Sequence, residues 1–288
     1  MIRAAAVALA LAGASPAGAA PLAVVATTPD VRALVAAVGG DRVAVESLAA
    51  PGEDPHAVDL KPSQRAHLLA AALLVRIGLD HEPWLARARI GEGTRVLNLS
   101  HSVRLLQTAT PRLRAGGAAH LHAFGNPHYW LDPDNARAMA AAIAKTLAEL
   151  RPGDAAWFEA RRAAFAETLA RRTREWEERL APYRGTRLVV VHDSWVYLAE
   201  RFGLRIAGAV EATPGIPPSS AELGALVARM REARIRVLVA EPYSDAPLVR
   251  RICERTGARE VVLQASGDDY VRLLDEDVAR LAQALASP

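Results

Sequence analysis

From Leu22 onward, short apolar runs alternate with stretches in which apolar residues recur at helical spacing. LAVVATT (22–28), VAVESL (43–48), LLVRI (73–77) and RVLNL (95–99) read as strands. Between them PDVRALVAAVGG and PSQRAHLLAAA read as helices; both open on proline, which suits a first helical turn, and the former stops at glycine. Residues 108–127 carry scattered Pro, Gly and His without a period and read as a loop. Asp132 or Asp134 then caps a helix running to Leu150.

From Asp154 to Ala181 there is neither Gly nor Pro, and Phe158, Phe165, Leu169, Trp176 and Leu180 recur at spacings of 7, 4, 7 and 4. This predicts one helix of roughly 42 Å with a single narrow apolar stripe. It is either a coiled-coil seam or a strut packed along two lobes, and a single isolated segment favours the strut. The alternation then restarts, with strands at 188–192, 204–210, 237–241 and 259–263 and helices at 195–201, 219–232, 245–256 and 268–286. The expected fold is α/β, with two lobes of mainly parallel sheet flanked by helices, at 20–150 and 183–288, and a long connecting helix at 151–182.

Residues 1–19 stand apart. Arg3 precedes an apolar run from Ala4 to Ala12, and Ala17, Gly18 and Ala19 fit the small-residue pattern of a signal peptidase site. The run is shorter than the ~20 residues a bilayer span needs, so it reads as an export signal cleaved near Ala19. Cys253 is the sole cysteine, which excludes an intramolecular disulfide and leaves no cysteine at the cleavage point for a lipid anchor. The expected product is soluble in the periplasm. The net charge of +3 is spread along the chain, with arginine often beside glutamate as in RRTREWEERL, which is the habit of solvated helix faces. No basic cluster with interleaved aromatics is present, which argues against nucleic acid as a partner.

Three of the eight histidines, His56, His128 and His192, sit where a strand hands over to a loop or helix, the edge at which open α/β sheets bind ligands. His56 follows a proline in PGEDPHAVDLKPSQ, a setting that also suits an ordinary surface loop. His128, in GNPHYWLDPD, is flanked by Tyr129 and Trp130, which would keep water from a site. His192 ends a very apolar strand, where it must find a partner: a metal, Asp193 or a carbonyl. Together the three suggest a shared transition-metal site, and nitrogen ligands suit zinc better than oxygen-seeking manganese. His120 and His122 form a small cluster in the loop before His128, either for ion capture or as plain polar loop. His67, His81 and His101 read as surface or helix residues.

These segments resemble the zinc- and manganese-binding proteins of metal ABC importers. PGEDPHAVDLKPS is similar to that family's G-x-D-P-H segment, GNPHYWLDP to its N-P-H-x-W-x-D-P motif, and VVVHDSWVYLAERFGLRIAG to its third ligand segment. GLDHEPWL, EATPGIPPSSAEL and VLVAEPY match further family motifs, so the resemblance covers residues 22–286. It implies two α/β lobes joined by a rigid long helix and one zinc ion between them, held by His56, His128 and His192. It further implies a monomeric carrier whose partner is a membrane permease. Manganese-preferring relatives usually carry glutamate at the position of His192. Many relatives also place an aspartate after the last strand, where this chain has Gln264, Ala265 and Ser266. Glu241, at the tip of VLVAE, is therefore the first choice for a fourth ligand, ahead of Asp268 or Asp269 and then water. Glu241 alternatively accepts the free N–H of a ligating histidine, a role for which Glu211 and Asp193 are weaker candidates.

An enzyme is not expected. A zinc hydrolase would show an HExxH motif or a base beside the ligands. Asp193 and Ser194 follow His192 on one strand tip and diverge from it, and there is no G-x-S-x-G turn. The nearest alternatives are a manganese- or iron-binding member, or a metal-dependent adhesin, of the same fold.

Overall fold

The computed structural model describes residues 20–106, 125–211 and 217–286. The 1–19 segment and His120 and His122 lie outside the described residues. The Val- and Leu-rich runs form two four-stranded sheets: β1 (Leu22–Ala26), β2 (Val43–Ser47), β3 (Leu73–Arg76) and β4 (Arg95–Asn98), then β5 (Arg187–Val190), β6 (Arg205–Ala209), β7 (Val237–Ala240) and β8 (Arg259–Val262). Every pairing is parallel, so crossover segments must return the chain over the sheet faces. The strand orders are β2-β1-β3-β4 and β6-β5-β7-β8, the same path twice. In each sheet the path reverses beside the first strand, and a crevice for ligands opens at the carboxyl ends there.

The helices are α1 (Pro29–Gly39), α2 (Pro62–Ala70), α3 (Pro133–Leu150), α4 (Ala155–Leu180), α5 (Val196–Phe202), α6 (Ser220–Glu232), α7 (Ala246–Thr256) and α8 (Tyr270–Ala286). Of the two candidate caps for α3, Asp132 is the one used: its carboxylate accepts from the Asp134 amide. α4 is continuous, with a 3₁₀ turn at each end. Its stripe of Phe158, Leu169, Trp176 and Leu180 is buried against α1 and α3 on one lobe and α8 on the other. Arg161 Nε donates to Ala37 O at 3.0 Å and Trp176 Nε1 to Asp275 Oδ1 at 2.7 Å, so the helix is pinned to both lobes. It is a strut, not a coiled-coil seam.

One apolar core runs through both lobes, from Val24 to Ala284. Across the interface Trp130 Nε1 donates to Ala265 O at 2.7 Å, Tyr270 Oη to Trp130 O at 2.5 Å, and Arg32 pairs with Asp268 at 2.8 Å. Among the described residues no helix is long and apolar enough to cross a membrane.

Candidate metal centre

The carboxyl ends of the two sheets face each other, and four histidines meet between them. His56 arrives on the loop after β2, where an Asx turn to Asp54 (2.9 Å) and Trp84 Nε1 donating to Pro55 O (2.9 Å) hold the backbone. His81 arrives on the loop after β3, and His128 on the segment leading into α3. His192 stands two residues beyond β5. One ring nitrogen from each of His56, His81 and His128 lies within 4.8 Å of the others. The His192 ring, from the second lobe, has its centroid 5.4 Å from that of His56 and 5.3 Å from that of His128. His81, His128 and His192 are buried and His56 is half-buried. Trp130 lies against His81 and His128 at 5.2 and 5.3 Å, forming an apolar wall that excludes water.

The hydrogen bonds fix which nitrogen faces the centre. His56 Nδ1 lies 3.1 Å from the His81 carbonyl, which only accepts, so Nδ1 is the donor and, in the neutral ring, Nε2 carries the lone pair. Asn126 is oriented by its own partners: its Oδ1 accepts from the His128 amide (2.9 Å) and its Nδ2 donates to Asp193 O (2.8 Å). That oxygen is 3.0 Å from His128 Nδ1, so His128 also carries its proton on Nδ1. His192 Nδ1 lies 3.9 Å from Glu211 Oε2. The Nε2 atoms of His56, His128 and His192 are shielded from solvent. Backing a ligand's outer nitrogen with an acceptor is how proteins orient imidazole toward a metal.

His81 corrects the expectation that it is a surface or helix residue. It is 0 % exposed and lies inside the cluster, because the chain turns inward after β3. The signal was available: His81 too follows a strand of the same sheet, the criterion that picked out the other three. Asn126 opens the N-P-H motif, yet its role in orienting His128 shows only in the fold. His67, on α2, pairs with Glu46 at the surface.

Glu241 lies just beyond β7 and is buried. Its oxygens accept from Trp195 Nε1 (2.8 Å) and Ser244 Oγ (3.1 Å), and burial pushes its pKa up to about 7. With Asp54, Glu211, Tyr243 and Ser244 it lines an 80 Å³ cavity that reaches His56 and His192, but it is not in the histidine cluster. The loop after β8 makes lobe contacts and caps α8. Ser266 Oγ donates to Asp30 Oδ1, Asp268 pairs with Arg32, and Asp269 Oδ1 accepts from the Arg272 amide at 3.0 Å near the start of α8. A site of several neutral imidazoles in a buried pocket can hold a borderline transition ion, zinc above all.

The model of the ZnuA family, described as zinc-uptake complex component A, periplasmic, matches residues 24–284. The high-affinity zinc uptake system protein ZnuA of Paracoccus denitrificans is 32 % identical over 268 residues, covering 82 % of this chain and 81 % of that protein. The Brucella abortus protein of the same name is 28 % identical over 250 residues, with 74 % of each chain covered. A crystal structure of ZnuA superposes with a TM-score of 0.81 at 27 % identity, covering 92 % of this chain and all of that one (100 %). A zinc-bound deletion mutant of ZnuA gives a TM-score of 0.82 at 28 % identity, with 93 % and 99 % covered.

Proposed function

Since the chain belongs to the ZnuA family of periplasmic zinc-uptake components, we propose that it captures one zinc ion between its lobes and delivers it to the permease of an ABC importer. The observation that carries this reading is the trio His56, His81 and His128, with nitrogens within 4.8 Å of one another and His192 facing it from the second lobe. The ligands are His56, His128 and His192, with His81 as the fourth in place of Glu241. Four imidazoles complete a tetrahedral shell and leave no open position for an activated water, which is the arrangement of a holding site and not of a zinc hydrolase. The four ligands are neutral, so the ion's two charges need compensation nearby. Asp54, Glu211 and Glu241, around the adjoining cavity, supply it.

Residues 1–19 serve as an export signal, and 20–150 and 183–288 are the two binding lobes, connected through 151–182. The mature protein acts as a monomer in the periplasm. Competition titration of the tag-free protein should give one zinc per chain, bound far more tightly than manganese. Equal or stronger manganese binding overturns the assignment. Affinity should fall between about pH 7 and pH 5, across the ~6.5 reference pKa of histidine, because protonated imidazole cannot coordinate.

A further inference from the structure

The loop that carries His81 is built unlike the others at the site. Gly78, Leu79 and Asp80 all have positive φ, at 82°, 55° and 58°, so three consecutive residues are left-handed. Two of them bear a Cβ, which that region disfavours. A Cβ on Gly78 would lie 2.3 Å from Asn98 Oδ1, so glycine is needed there for space as well. Such a conformation persists only where its surroundings over-determine it.

The surroundings converge on Glu82. Its carboxylate is 2 % exposed and sits at the foot of the loop. Oε1 accepts from Ile77 N at 2.6 Å and Thr27 Oγ1 at 2.8 Å, and Oε2 from Gly78 N at 3.0 Å and Arg76 Nη2 at 3.3 Å. The amide of His81 closes the turn onto Gly78 O at 3.0 Å. The same residue's carbonyl is the acceptor for His56 Nδ1. The path of this one loop therefore sets where the His81 ring lies and which way the His56 ring faces.

We propose that Glu82 is a positioning residue that sets two metal ligands at once, His81 through the strained 78–80 turn and His56 through the His81 carbonyl. The inference rests on the zinc-binding reading above. Glu82→Gln keeps the size of the side chain but turns one acceptor oxygen into a donor that faces backbone N–H groups. The ligands stay in place chemically and lose their support.

The test measures wild type, Glu82→Gln, His81→Ala and the double variant by zinc competition titration and by the visible spectrum of the cobalt(II)-loaded protein. Glu82→Gln should weaken zinc by about 10–100-fold, the usual scale for losing a group that orients a ligand, and should change the cobalt ligand-field bands. In the His81→Ala background the same substitution should cost less, because only the His56 branch remains. A wild type that fails to bind zinc defeats the function proposed above and not this inference. If wild type binds and Glu82→Gln leaves affinity and cobalt spectrum unchanged, or if the two substitutions add fully with an unchanged spectrum, Glu82 only supports the fold and the inference is overturned. Should Glu82→Gln fail to fold, Thr27→Val removes a single donor to the same carboxylate and is read by the same criteria.

Discussion

The two lobes share one strand order, yet they bring unequal chemistry to the same place. The first lobe contributes His56, His81 and His128, already clustered, and the second contributes His192 together with Glu211 and Glu241. Their buried carboxylates differ in the same sense. Glu82 of the first lobe accepts from four donors. Asp277 of the second accepts at Oδ1 from the Gln264 amide (2.9 Å), and its Oδ2 is buried with no hydrogen-bond partner among the described residues. A repeated topology guarantees a crevice at matching edges but does not divide the ligands evenly. In the site proposed above, the first lobe brings a ready cluster of three imidazoles, and the second brings the fourth together with the carboxylates.

The largest expected effect tests that division directly. His128→Ala should weaken zinc binding by more than about 100-fold, beyond the 10–100-fold typical of losing a supporting group. His192→Ala should cost less and keep one zinc per chain by metal analysis, since the first lobe's cluster of His56, His81 and His128 stays intact. The reverse ranking would break the comparison. Asn126→Leu comes next, at about 10–100-fold, because it removes the acceptor at His128 Nδ1 and the bridge to Asp193. Glu241→Gln should change zinc affinity by less than about 10-fold at neutral pH. A loss as large as that of His128→Ala would restore Glu241 as a ligand and move the balance toward the second lobe.

Asp277 gives a smaller effect, on stability. Burial raises its pKa from 3.8 to about 8 in the folded protein. A folded-state pKa above the unfolded one means that the native state binds the extra proton, so stability falls as pH rises from about 4 to about 8. Asp277→Asn keeps Oδ1 and cannot ionise. Thermal melts of the metal-free protein should show the variant gaining on wild type above about pH 8 and losing that advantage near pH 4. The last expectation is no change: with α4 pinned to both lobes, solution scattering should give nearly equal radii of gyration with and without zinc. A large compaction would mean hinge closure.

Much of this was legible in local pattern. Short apolar runs located the eight strands, and the 7-4-7-4 stripe of Phe158 to Leu180 located the strut, because burial on one face of a helix imposes a period. The local pattern leaves His81 among surface or helix residues, although it follows β3 as His56 follows β2. Nothing in GLDHEPWL announces three left-handed residues held by a buried glutamate. A carboxylate ending an apolar strand needs a partner, and the sequence leaves a cation or a histidine N–H open for Glu241. Its partners are Trp195 and Ser244, one 46 residues earlier and one three residues later.

The sequence by itself determined the fold class, the two-lobe organisation around a long helix, the metal chemistry and three of the four histidines. Each of these is a local or periodic property, carried by residues close together in the chain. Only the tertiary structure decided that His81 joins the cluster, which partners meet the Nδ1 atoms of His56 and His128, and which lobe contacts the loop after β8 makes. Those depend on which atoms meet across more than one loop or lobe. Long-range packing sets such meetings, because a buried polar group takes whichever partner the fold brings within reach.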